Sequence, residues 1–172
     1  MIETNKGILV CVETNGKAQT DVSYIDKVLK TFYYISNDIK LIYFFLDSKT
    51  KYDDLGNIKK IELKRNKFSS LEVVYCLDTD DYEKNYETRI LNNKIKKFCD
   101  RQGYKLVWFN KDIEDVFLHK KITDSREKQN AAKEVFKKDG IGKATEKSLS
   151  KSNIVKQTSN ILLVFDGILE RK

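Results

Sequence analysis

Four near-continuous apolar runs of strand length constrain this chain more than any other feature. They are Gly7–Glu13 (GILVCVE), Lys40–Leu46 (KLIYFFL), Glu72–Leu77 (EVVYCL) and Tyr104–Phe109 (YKLVWF). A continuous run has no polar face to offer water, so it reads as a strand covered on both faces, the habit of a parallel sheet. The segments between the runs supply the covers. Val22, Ile25, Val28, Leu29, Phe32 and Ile35 recur at helical spacing and predict an amphipathic helix over 21–36, with Asp21 able to cap it. Tyr82, Tyr86, Ile90, Ile95 and Phe98 predict a second helix, stopped by Gly103. IEDVFLHK predicts a short third helix after the last run. Asp47–Ser70 holds a DDLGN turn and fits neither period; a short helix is expected there, with a hairpin arm as the alternative. Residues 1–119 therefore alternate strand and helix, which requires an α/β fold with a mostly parallel four-stranded sheet flanked by helices.

Residues 120–172 read as a Lys-rich extension of that core. They carry a weak helix AAKEVFKK, a loop DGIGKAT, and apolar positions Ile154, Thr158, Ile161, Leu162, Phe165 and Leu169. The last set predicts a closing amphipathic helix over 154–169 that docks on the sheet, with a strand at ILLVF as the alternative. Charge follows the same division. Residues 1–119 hold 20 basic and 19 acidic groups, whereas 120–172 hold 13 basic and 7 acidic. A basic segment beside a neutral one suits a polyanion, nucleic acid first. Lys17, Lys120, Lys121, Lys133, Lys137, Lys138 and Lys143 are its candidate contacts. Lysines outnumber arginines 28 to 5, so a bias of base composition toward A and T explains part of this charge equally well. The scarce arginines argue against bidentate readout of bases.

Other classes drop out. No apolar run approaches the roughly 18 residues of a membrane span. The start MIETNKG lacks the basic-then-apolar layout of a signal peptide, so a cytoplasmic protein is expected. Cys11, Cys76 and Cys99 are odd in number and scattered, which suits buried free thiols. A homo-oligomer or a partner subunit is compatible with the chain, and no exposed apolar stripe names one.

In open α/β sheets, functional groups gather at the carboxyl ends of the strands. Strand one ends in Glu13, strand three in Asp78-Thr79-Asp80-Asp81, and strand four is followed by Asp112, Glu114 and Asp115. Crowded carboxylates repel unless a cation lies among them, and hard oxygen donors without histidine favour Mg²⁺ or Mn²⁺ over zinc. Asp78 and Asp80 are two apart, so in extended geometry they share a face. Each element also has a plainer reading. The Asp78–Asp81 run can cap the following helix, and the acids at 112–115 suit a helix start. His119, the only histidine, reads as a surface or packing residue. GIGKAT is not a phosphate-binding loop of the P-loop type, since Lys137 stands where its first glycine belongs.

An apolar strand ending in Glu, then a loop and helix, then an apolar strand ending in Asp-x-Asp resembles the TOPRIM domain. The carrying motifs are ILVCVETNG (Ile8–Gly16) and VVYCLDTDD (Val73–Asp81). WFNKDIEDVFLHK (Trp108–Lys120) is similar to the acidic patch of the OLD-family and RloB-like nuclease branches. The resemblance spans roughly Ile8–His119. It departs from the family in the first motif, where Thr14 and Asn15 separate Glu13 from Gly16. It implies that Glu13, Asp78, Asp80 and Glu114 bind Mg²⁺ or Mn²⁺ and that Glu13, Asp78 and Asp80 support phosphodiester hydrolysis of DNA or RNA. Lys111, Lys120 or Lys121 would steady the transition-state phosphate. It further implies a role in defence against phage or mobile DNA. The alternatives are a non-catalytic nucleic-acid-binding or regulatory module on the same fold, and a small-molecule phosphatase.

Overall fold

Each of the four apolar runs forms a strand of one sheet, and all four strands run parallel. The computed structural model describes residues 3–17 and 19–172; Ala18, within the loop expected over Thr14–Thr20, lies outside the described residues. In chain order the first elements are β1 (Glu3–Val12), α1 (Thr20–Phe32), β2 (Tyr33–Tyr34), β3 (Ile39–Phe45), a 3-10 turn (Lys49–Lys51), α2 (Leu55–Arg65) and β4 (Phe68–Asp78). Then come α3 (Tyr86–Gln102), β5 (Lys105–Phe109), α4 (Ile113–Leu118), α5 (Ser125–Lys137), α6 (Glu146–Leu149), α7 (Ile161–Asp166) and β6 (Glu170–Arg171). The sheet order is β3-β1-β4-β5, and β2 pairs antiparallel with β6 as a separate ribbon.

The register places Val10 of β1 between Tyr43 of β3 and Val74 of β4. Strand side chains alternate between faces, so β1 feeds two cores. Ile8, Val10 and Val12 pack with Tyr24, Ile25, Val28 and Leu29 of α1 and with Val116 and Phe117 of α4. Leu9 and Cys11 pack on the other face with Ile61 of α2 and Ile95 and Phe98 of α3. Both faces are covered, as continuous apolar runs demand. All three cysteines are buried free thiols.

Element boundaries moved where the backbone found other partners. The helix expected over 21–36 stops at Phe32, because Tyr33 turns extended and pairs with Arg171. Arg171 stacks over the rings of Phe32 and Tyr33, 5.5 and 5.4 Å from their centroids, and holds Asp166 and Glu146. The second expected helix starts at Tyr86, where the Asn85 side chain accepts from the Thr88 N–H at 3.0 Å. The ambiguous stretch forms the 3-10 turn, α2 and the first part of β4, so the helix alternative is the observed one.

Residues 120–172 join the α1-side core along most of their length. Ala132, Val135, Ile141, Ala144, Leu149, Ile161, Leu162 and Phe165 all belong to it. Docking is therefore not confined to 154–169. The helix expected across 154–169 is also much shorter, only Ile161–Asp166. The preceding residues are occupied along the β5 edge: Ser159 bridges Phe109, and the Asn110 N–H donates to the Thr158 carbonyl at 3.0 Å. The Asn160 side chain accepts from the Trp108 N–H at 2.8 Å and donates to the Leu106 carbonyl at 3.1 Å. Among the described residues no helix is long and apolar enough to cross a membrane.

The chain steps from β1 outward to β3, then back across β1 to β4 and β5. The strand order reverses between β1 and β4, and a crevice outside their carboxyl ends is where such sheets bind ligands.

Candidate functional site

Val12 lies beside Cys76 in register, so Glu13, one residue past β1, and Asp78, the last of β4, leave the same edge side by side. Their carboxyl groups are near enough for each to act on the other's ionisation. Two carboxylates set this close repel when both are ionised. Burial pushes the Glu13 carboxyl up, and burial with Glu13, Asp21 and Glu114 as negative neighbours pushes Asp78 well up. Asp21, in the first turn of α1, is buried and faces the same group. Burial, then Glu13 and Glu114, push it up to about 8. It does not cap α1, whose N-cap is Gln19, with no side-chain capping bond.

The third strand end adds α4. Asp112 caps it, accepting from the Asp115 N–H at 2.7 Å. Glu114 is 1% exposed and meets Lys128 of α5 at 3.3 Å. Burial pushes Glu114 up and the Lys128 ammonium pulls it back.

Asp78 and Asp80 do not share a face, contrary to the expectation from their spacing. The strand ends at Asp78, and Asp80 takes a left-handed conformation with φ 53°. The turn is fastened to the start of α4. The Thr79 N–H donates to the Phe109 carbonyl at 2.9 Å, and the Asp80 N–H to the Lys111 carbonyl at 2.9 Å. The Lys111 N–H in turn donates to Thr79 Oγ1 at 2.8 Å, with Lys111 itself at φ 57°. Asp80 thereby swings to Lys49, whose Nζ lies 2.8 Å from its Oδ2 and donates to the Asp78 carbonyl at 2.5 Å.

The turn after β4 and the start of α4 enclose a cavity of about 370 Å³ lined by Asp80, Asp81, Lys111, Asp112, Asp115 and Lys121; Glu13 and Asp78 are not in its lining. Lys111 and Lys121 thus stand at the acidic edge. The other expected phosphate contacts are not in that lining. Lys120 pairs with Glu127 at 3.2 Å and Lys138 with Glu134 at 4.0 Å. Lys133 and Lys137 ride exposed on α5, and Lys17 and Lys143 sit exposed in loops. His119 is the exposed residue that ends α4.

Three side chains that meet the acids of this edge were not legible in the sequence as such: Lys49, Lys128 and Asp21. Two buried hydroxyls beside the acids, Thr14 Oγ1 and Tyr24 OH, have no hydrogen-bond partner among the described residues. Tyr24 lies in the field of Glu114, Asp21 and Asp112.

Among the described residues, no three His, Cys, Asp or Glu side chains stand close enough together to hold a metal ion. Mg²⁺ does not require three. It keeps several waters and binds through one or two carboxylates, completed by substrate phosphate. Glu13 and Asp78 match that requirement in donor type and in leaving adjacent strand ends. Asp80 and Glu114 are instead engaged by lysines. No family model matches the chain, and neither does any curated protein or solved structure.

Proposed function

We propose that this is a TOPRIM-like hydrolase that cleaves phosphodiester bonds of nucleic acid with Mg²⁺ or Mn²⁺. The observation that carries the reading is that Glu13 and Asp78 leave the sheet side by side at the reversal point between β1 and β4, each within the other's field. Two carboxyl groups brought together at a sheet edge, both pushed up first by burial, are groups that a divalent cation between them would relieve.

When bound, the cation supplies Lewis-acid polarisation of the phosphodiester and a more acidic water. The chain's own residues do the rest. Glu13 and Asp78 would provide the oxygens that hold it, in their ionised forms. Lys111, fixed by its backbone bonds to Thr79 and Asp80, and Lys121 stand in the cavity as point charges for phosphate. Four carboxylates in the same lining repel a bare phosphate, so substrate entry depends on cation entry.

The test is cleavage of double-stranded DNA, single-stranded DNA and single-stranded RNA with Mg²⁺, with Mn²⁺ and with chelator. The reading requires cation-dependent cleavage of at least one of them. Asp78→Asn should lower it by about 100-fold or more, the scale of losing one essential charge-stabilising group. Binding of nucleic acid with no cleavage under any condition would instead favour the non-catalytic module. Cleavage of small phosphate esters alone would favour the phosphatase.

A further inference from the structure

We propose that the outer edge of β3 takes up an acidic, extended segment of a partner protein as a further strand of the sheet. The two outer strands are β3 and β5, and the chain treats them differently. Its own residues cover β5. Ser159 bridges Phe109, Asn110 donates to Thr158, and the Asn160 side chain engages the Trp108 N–H and the Leu106 carbonyl. Nothing comparable covers β3 among the described residues. The Lys6 N–H donates to the Asp38 carbonyl and the Leu46 N–H to the Val12 carbonyl, both at 2.9 Å. Even-numbered positions of β3 therefore bond β1, and the N–H and C=O groups of Leu41, Tyr43 and Phe45 point outward. Edge strands are normally blunted by charge, proline, a bulge or short length. β3 (IKLIYFF) has seven residues, no proline, an unbroken register with β1 and one charged residue, Lys40. Its run is as apolar as that of β1, yet Ile8–Val12 are buried, whereas Ile39, Leu41, Ile42, Tyr43 and Phe45 are only half-buried. A strand whose sequence suits burial thus lacks one neighbour.

Charge selects the occupant. On the α2 side of the edge, a cleft of about 450 Å³ holds Lys60, Lys64 and Lys67 beside Phe44, Phe45 and Leu63, and no acid lines it. None of these three lysines makes an ion pair among the described residues. Leu63 is 57% exposed. On the α1 side, Tyr34 and Ile35 line a second cleft with Leu41 and Tyr43. Its charged groups are the Asp26–Lys30 ion pair at 2.6 Å, Lys40 and Lys172, so the three-lysine side sets the preference. Strand side chains alternate between faces. A segment with acids at alternate positions and apolar residues between them would place the acids by the lysines and the apolar groups against Tyr34 and Ile35. A second copy fits worse, because antiparallel pairing of β3 with itself about a two-fold sets α2 beside α2, lysines against lysines. A nucleic acid fits worse as well, because its phosphates only accept hydrogen bonds and the outward carbonyls need donors.

The test uses the full chain and a capped peptide of alternating Glu and Val with the seven-residue length of β3. Fluorescence anisotropy reads binding, and amide hydrogen exchange reads the edge. The peptide should bind, and at saturation exchange at Leu41, Tyr43 and Phe45 should slow by about tenfold or more. Replacing Glu by Lys in the peptide, or methylating its amide nitrogens, should each weaken binding by about tenfold or more. Lys60→Glu, Lys64→Glu and Lys67→Glu combined in the chain should do the same; should that variant fail to fold, the two altered peptides decide. Single-stranded DNA should leave exchange at the three amides unchanged. Absence of peptide binding, equal binding of either altered peptide, or protection of those amides by the DNA would overturn the inference. So would a chain that sediments as a dimer with those amides already protected, since the edge would then belong to a second copy.

Discussion

The two ends of the β1–β4 pair follow opposite rules. At the amino end, Gly7 stands beside Leu71, and a Cβ there would lie 2.6 Å from Leu71 Cδ1 and 2.9 Å from Phe68 Cγ. That end is closed by apolar contact with no room left. At the carboxyl end the same two strands terminate in Glu13 and Asp78, two acids whose charges oppose one another. The dry end and middle supply the stability that the charged end withdraws. A carboxyl pair can be held in repulsive contact only because the strands bearing it are locked elsewhere.

The comparison can be broken in graded steps. The largest effect belongs to the middle of β1: Leu9 is fully buried, so Leu9→Ala should cost about 2–5 kcal/mol in urea unfolding. A cost below about 1 kcal/mol would show that the strand is not the anchor. Gly7→Ala should cost about 1–3 kcal/mol, because Leu71 and Phe68 must both move. A neutral result would mean that the amino end yields easily.

The charged end should show itself as a pH slope of the opposite sign to that of salt-bridged acids. Unfolded carboxyls ionise near pH 4, whereas Asp21 in the fold is pushed up to about 8, and Glu13 and Asp78 are raised as well. Between those values the folded chain binds more protons than the unfolded one, so stability falls as pH rises. The slope is about 1.4 kcal/mol per pH unit for each fully differing group. Urea unfolding at pH 5 and pH 8 without divalent cation measures it. Greater stability at pH 8 would contradict the account. Tyr24→Phe is expected to have the smallest effect. Its buried hydroxyl has no hydrogen-bond partner among the described residues, so losing it should be neutral or gain up to about 1 kcal/mol. A clear loss would show that the hydroxyl is engaged in solution.

Much of the fold was legible because burial on both faces writes continuous apolar runs, and each run became a strand. The acids at the strand ends were legible for the same reason, since Glu13 and Asp78 are where the runs stop. What stayed hidden depends on long-range packing. Lys49 lies in a stretch with no period, and nothing local distinguishes a lysine that turns inward from one that points to water. Lys128 reaches Glu114 only because α5 packs on α1, and the weak helix read from AAKEVFKK begins three residues beyond it. Asp21 carries the signature of a cap but spends its carboxyl on the acid cluster. The spacing of Asp78 and Asp80 misled because the strand period ends at Asp78, after which Asp80 enters the left-handed region.

The most direct test of the central claim is the thermal midpoint with and without Mn²⁺ at pH 8, for wild type and for Asp78→Asn. If Glu13 and Asp78 are a cation site, an excess of about 100 times the dissociation constant stabilises wild type by about 2.7 kcal/mol, or roughly 5–10 °C at this chain length. Asp78→Asn should begin with a higher midpoint than metal-free wild type and gain almost nothing from Mn²⁺. An equal rise in both proteins, or none in wild type, would contradict the account.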